Sequence, residues 1–243
     1  MAVNFPGNES NVEAAALLRE HVRESLKIAE QVVNALRLQI SHLEEFDESV
    51  RWPVAHSIIM TRIADDIQAA ASLVLRGYFV QAQTLGASVY ELSYTAGFIS
   101  NDDERAAEWL DWSNLDRRPW SRREMVTAVR RSVYGPQTTT DDDDRTRYGM
   151  LCWGKHGNPR FQKKGGVASS PEAHVINIDP SLGGLAHRFG EIALWLMLEP
   201  VITYLASLHR LGEMPTDVLR ELDTIIELWE PFDRRILPRD SGK

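Results

Sequence analysis

A chain of 243 residues that is 43% hydrophobic is long enough to bury a sizeable core, and its formal net charge of -8 argues against a protein that coats nucleic acid over its whole surface. A single cysteine, Cys152, excludes an internal disulfide framework and fits a reducing cytoplasm. The opening MAVNFPGNES has neither the basic nor the apolar stretch of a signal peptide, and no linker rich in Pro, Gly or Ser divides the chain, so 1–243 reads as one domain.

From Val22 the apolar residues Val22, Leu26, Ala29, Val33, Leu36, Ile40 and Leu43 recur with gaps of four and three. That period predicts one long helix packed lengthwise on another, either as an antiparallel hairpin with the next helix or as the seam of a homodimer. Pro53 suits the first turn of the second helix, whose stripe runs Ile59, Ile63, Ile67, Ala70, Val74 and which Gly77 stops. A third helix spans about Tyr78 to Ile99. Glu91 is its one charged residue, and Ala82, Gly86, Ser93 and Gly97 invite close neighbours, so this helix is expected at the centre. A carboxylate so placed either reaches solvent at the helix edge or takes a cationic partner from elsewhere in the fold.

Asn101 or Asp102 is expected to cap a fourth helix that runs through Trp112, with Asp102, Asp103 and Glu104 favoured by the helix dipole. Ser121 to Val133 makes a fifth, stopped at Gly135-Pro136. The acidic run Thr138 to Asp144 lacks the alternation, central Gly and distal Glu of a calcium loop, so it reads as the cap of a sixth helix. The apolar segment Ile192 to Leu208 carries Glu199 and Pro200 at its middle, which predicts a kinked, buried helix and no membrane span.

The sixth helix ends in GMLCWGKH, residues 149–156, which nearly spells a phosphate-binding loop. That loop needs a preceding strand, small residues around free amides and a hydroxyl after its Lys. Here the upstream segment is a helix start, Met150, Leu151, Cys152 and Trp153 are bulky, and His156 stands in the hydroxyl position. Cys152 and His156 share a helical face, but the sequence shows neither an orienting third group nor a second metal-ligand pair, so no cofactor and no metal are expected. The segment instead reads as the closing turn of a core helix. His156 then projects toward Glu91, with Tyr148, Glu91 and His156 as candidates for any acid/base site.

The stretch RGYFVQAQTLGASVYELSYTAGFI, the acidic NDDERAAEWLDW and the later YGMLCWGKHGNP, with Tyr148 and His156, resemble bacterial all-helical proteins related to the HEPN superfamily and to abortive-infection (AbiV-like) proteins. The resemblance covers about half of the chain. It implies an all-α bundle and a cytoplasmic module, non-catalytic or conditionally active, that acts by binding RNA or a partner protein, in stress or phage defence; the alternatives are an enzyme with an acid/base site around Glu91 and His156 and a structural homodimer without a pocket. Where that family commonly carries a basic residue one turn before its Glu, this chain has Ala87. The Arg and His spacing of HEPN ribonucleases occurs here at Arg37 with His42 and Arg51 with His56, no more often than chance allows, so ribonuclease activity is not expected.

Two basic stretches are the candidates for nucleic-acid contact. Arg117, Arg118, Trp120, Arg122, Arg123, Arg130 and Arg131 form the first, and Lys155, Arg160, Lys163 and Lys164 the second. Facing one groove they would attract phosphate; paired with the acidic runs they are ordinary solvated surface. The resulting expectation is an all-α multi-helix bundle built on a long N-terminal antiparallel hairpin. Residues 117–135 form a flanking helical insertion and 157–181 a long loop with at most a short strand at HVINI. The chain is expected to be a homodimer with an RNA or protein partner and no membrane contact.

Overall fold

The computed structural model describes residues 16, 19–20, 22–43, 46, 49–112, 119–138, 146–152, 183–212 and 214–236, with side chains from Gly190 onward in the 183–212 segment. All regular structure among them is helical. In chain order the helices are α1 (Arg23–Leu43), α2 (Arg51–Leu75), α3 (Phe79–Ile99), α4 (Asp103–Leu110), α5 (Arg122–Tyr134), α6 (146–152), α7 (Gly183–Leu211) and α8 (Thr216–Ile236). This is the expected all-α bundle. The short strand expected at HVINI, the acidic run 139–144 and the loop 157–181 lie outside the described residues.

Most of the stripe of α1 is covered within the chain. Val22, Ala29, Val33, Leu36 and Leu43 are buried, Leu26 and Ile40 are half-buried, and α1 packs on α2, α7 and α8. Contact on several sides explains why Ile28, Val32 and Ala35, beside the 3.5-residue stripe, are buried too.

Helix α2 begins two residues before Pro53, as a first-turn proline requires. Its N-cap Val50 has no capping side chain. Asp103, from the first turn of α4, supplies the acceptor instead: its Oδ1 takes the backbone N–H groups of both Arg51 and Trp52 at 3.0 Å. At the other end Gly77 adopts φ 79°, and the N–H of Tyr78 reaches back to the Leu73 carbonyl at 2.8 Å, the bond pattern of a left-handed helix stop.

Helix α3 is central, packed between α2, α5 and α7. Its small residues do what small residues are for. A Cβ on Gly86 would come within 2.8 Å of Leu151 Cδ2 of α6, and one on Gly97 within 2.8 Å of Val129 of α5. Helix α4 is shorter than expected, ending at Leu110 with Asp111 as its C-cap, while its N-cap Asp102 accepts from Arg105 N at 2.9 Å as expected. Helix α5, capped by Ser121 on Glu124 N and stopped at Gly135 (φ 93°), buries Met125, Val126, Val129 and Arg130 against α3 and α7.

Helix α7 runs through Pro200 without interruption. Its segment Gly190–Leu211 is long and apolar enough by composition to cross a membrane, yet its most apolar window is 83% buried within the fold, which is the situation of a core helix. Helix α8 closes the bundle against α1 and α7 through Val218, Leu222, Ile225 and Phe232.

Candidate functional site

A cleft of about 410 Å³ opens between α2, α3, α4 and α5. Its walls are apolar and aromatic, formed by Leu85 and Leu92 of α3, Trp109 of α4, Trp112, Trp120 and Met125 of α5. Among the described residues the polar groups of the lining are few: Thr84, Ser88 and Thr95 on α3, and two charges, Arg62 and Glu91. Size and composition match those of small-ligand sites, where a mostly apolar surface holds a few placed polar groups.

Local structure explains how each wall stands. Trp109 lies in the last turn of α4, and Trp112 follows the stop at Asp111, 38% exposed. Trp120 precedes the Ser121 cap of α5 and is held by the ring of Phe98, 5.2 Å between centroids. Arg105, one turn before Trp109, holds Phe98 as well, donating to the Phe98 carbonyl at 3.1 Å with its guanidinium 4.3 Å from the Phe98 ring. On the α2 side Arg62 donates to Asp66 at 3.1 Å, and Asp66 is almost fully buried, so this cation already has a counter-charge.

Glu91 is half-buried and accepts a hydrogen bond from the Tyr148 phenol. Its partner at this contact is a neutral donor from α6. Burial first, and then hydrogen bonds to Glu91 and Cys152, hold the Tyr148 phenol well above the usual tyrosine range, so it stays a donor at neutral pH. Arg122 lies over the same ring, its guanidinium 4.0 Å from the centroid. Leu151, seated on Gly86, fixes the register that brings Tyr148 to Glu91. The third candidate, His156, lies outside the described residues, as do Trp153 and the expected end of α6.

Next to this cluster, deeper in the bundle, is a polar network that the sequence did not disclose. Arg130 donates to Glu199 Oε1 at 2.7 Å and to the Tyr94 hydroxyl at 2.9 Å. Arg147 of α6 approaches the same carboxylate oxygen at 3.2 Å and lies 4.6 Å from the centroid of the buried Trp195 ring. Burial opposes the charge of Arg130, but Glu199 and Tyr94 more than offset it and its pKa is raised; Tyr94 is pushed up by burial and by Glu199. Glu199, the acid that spoils a membrane reading of α7, is thus the anchor that ties α5 and α6 to α7.

The first basic stretch is therefore divided. Arg130 is buried in the network and Arg122 is engaged on Tyr148, whereas Arg123 and Arg131 are exposed and Trp120 walls the cleft. Arg117, Arg118, Lys155, Arg160, Lys163 and Lys164 lie outside the described residues. Among those described, no group of three or more His, Cys, Asp or Glu side chains is placed to hold a metal ion.

Neither histidine of the two Arg–His pairs joins the cleft. His56 is fully buried; its Nε2–H donates to the Ala96 carbonyl at 3.0 Å, and its Nδ1 accepts from the Tyr204 hydroxyl at 3.3 Å. Because the carbonyl can only accept, this pattern fixes one neutral tautomer. His42 pairs with Asp217 of α8, at 3.0 Å. No family model, curated protein or solved structure matches this chain.

The sequence reading passed over Trp109, Trp112 and Arg62. A signal did exist, since three of the seven tryptophans fall between positions 109 and 120, where a helix breaks and restarts.

Proposed function

We propose that this protein is a binding module without catalysis of its own, and that the cleft beside Glu91 is its recognition site. The observation that carries this reading is the convergence of Trp109, Trp112 and Trp120 on one opening of about 410 Å³, with a carboxylate in its lining. Indoles bring large, rigid contact area at small entropic cost, and here three of them are left at a cavity wall when other large aromatic side chains, Tyr90, Tyr94, Trp195 and Tyr204, are fully buried. The HEPN-like resemblance adds the expectation of a helical module that works by binding.

Two other readings are supported less well. A phosphate groove along residues 117–131 needs its arginines on one face, and Arg122 and Arg130 are occupied within the fold. An acid/base enzyme needs Glu91 able to exchange a proton with substrate, and here it accepts from a phenol that burial keeps protonated.

A panel of small aromatic and aliphatic compounds, screened by thermal shift against the wild type and Leu85→Trp, tests the reading. Leu85 lines the cleft, so an indole there fills it. Compounds that stabilise the wild type and lose that effect in an equally stable Leu85→Trp variant support the cleft; hits that survive the filling, or no hits, reject it.

A further inference from the structure

We propose that the outer face of the α1–α2 hairpin pairs with the same face of a second copy of this chain, α1 lying antiparallel to α1 about a two-fold axis between Val33 and Asn34. The face shares no residue with the cleft, so the inference goes beyond the reading of the cleft and stands apart from it.

The hairpin carries a trough of about 410 Å³ along this face. Its lining is apolar at Ala29, Val33, Ile67 and Ala71, and the two alanines leave room between the helices because their side chains end at Cβ. Among the described residues α2 contributes no charge to the lining; its two charges, Glu30 and Arg37, come from α1 and are exposed. Among the described residues neither of them forms an ion pair within the chain.

Glu30 and Arg37 stand two helical turns apart, on one line along α1 and about 10 Å from each other. That spacing makes the face complementary to itself. When two such helices run antiparallel about the midpoint, Glu30 of each copy meets Arg37 of the other, and one contact is made twice. The same register sets Leu26 against the turn of the second copy that holds Ile40 and Ser41. Leu26 and Ile40 are the two stripe residues that the chain's own packing leaves half-buried, so a second copy covers what the fold does not. A foreign helix would need its own acid and base at this spacing, whereas a second copy has them by symmetry.

The size of the face decides how strong the pair is. The 21 residues of α1 span about 31 Å, and two helices side by side are about 20 Å wide, which gives about 600 Å² per copy. The total of about 1,200 Å² lies at the lower bound for a specific interface, so the dimer is expected to dissociate in the micromolar range.

Sedimentation velocity of the full-length protein at constant ionic strength, from about 1 to 100 µM, tests this. The wild type is expected to pass from monomer to dimer over that range. Glu30→Lys and Arg37→Glu each set like charges together at both contacts, so either variant alone should dimerise at least about tenfold more weakly. Mixed in equal amounts, the two variants bring opposite charges together again, because the Glu30→Lys copy presents cations at both positions and the Arg37→Glu copy anions. The mixture should therefore dimerise about as well as the wild type, which a variant weakened by a damaged helix would not do; thermal unfolding checks that each variant is folded. A wild type that stays monomeric at about 100 µM would overturn the proposal and leave the trough to another protein or to another part of this chain. A dimer that neither variant weakens would overturn it by placing the interface on another face. A mixture that stays monomeric would overturn it too, because positions 30 and 37 would then not face each other.

Discussion

The phenol of Tyr148 donates a hydrogen bond to the carboxylate of Glu91, joining α6 to α3 at the edge of the cleft. A bond from a hydroxyl to a charged acceptor contributes about 1.5–3 kcal/mol in a protected site, and Tyr148 is only half-buried, so Tyr148→Phe should cost about 1 kcal/mol. Its ionisation, followed by absorbance near the phenolate band as the difference between wild type and Tyr148→Phe, should lie above the ordinary tyrosine range. In Glu91→Gln it should move down but not return to the ordinary value, since burial is the larger cause. A Tyr148 that titrates normally in the wild type would show that the two side chains do not meet in solution.

Gly86 governs whether that contact forms. A methyl at this position would sit 2.8 Å from Leu151 Cδ2, well inside contact distance. Gly86→Ala should therefore destabilise the fold by about 1–3 kcal/mol despite the better helix propensity of alanine. Shortening the opposing side chain in Gly86→Ala/Leu151→Val should recover a good part of the loss. Urea unfolding of the two variants and the wild type checks both statements, and a neutral single variant would contradict the close approach.

The Arg130–Glu199 pair should behave as a buried ion pair does. Removing one partner strands the other, so Glu199→Ala should cost about 3–5 kcal/mol, with Arg130 and Arg147 both left without that carboxylate. The double change Arg130→Met with Glu199→Gln removes both charges and should be less destabilised than Glu199→Ala alone. Chemical denaturation of the set measures this coupling; strict additivity would mean the pair is open to water.

His56 should make the protein sensitive to acid. Burial lowers its pKa to about 4, from an ordinary value of 6.5, with the Ala96 bond working weakly the other way. The unfolded chain then binds a proton that the folded chain refuses, so this group costs nothing above about pH 6.5 and an increasing amount as pH falls from there toward 4. The full effect is about 3 kcal/mol from the 2.5-unit difference. The carboxylates titrate in the same range, so the measurement is a comparison of unfolding free energies at pH 7 and pH 4.5 in the wild type and in His56→Gln. The variant should start less stable at pH 7, having lost the His56 bonds to Ala96 and Tyr204, and should fall less steeply.

Much of this fold was legible in the residues one at a time. Gly77 and Gly135 stop helices where they stand, Asp102 and Ser121 begin them, and the near absence of charge between Gly77 and Asn101 put α3 at the centre. These are local effects, in which backbone sterics, capping bonds and a desolvation penalty act within a turn or two of the residue concerned. The stripe of α1 was equally plain, but whether a partner subunit or the same chain would cover it was not, because periodicity reports that a face is apolar and is silent about what meets it.

What only the tertiary structure decided are the pairings between residues far apart in the chain. Tyr148 meets Glu91 because Gly86 lets Leu151 sit close, Asp103 caps a helix that began some fifty residues earlier, and Glu199 draws in Arg130 and Arg147 from two other helices. In sequence each arginine of 117–131 reads as a cation available to solvent; in the fold, desolvation leaves Arg130 stable only beside a carboxylate, and it is taken out of the surface. The cleft follows the same logic. Three tryptophans at the break between α4 and α5 are merely apolar in the sequence, and it is the packing of those helices on α3 that turns them to face a common space instead of the core.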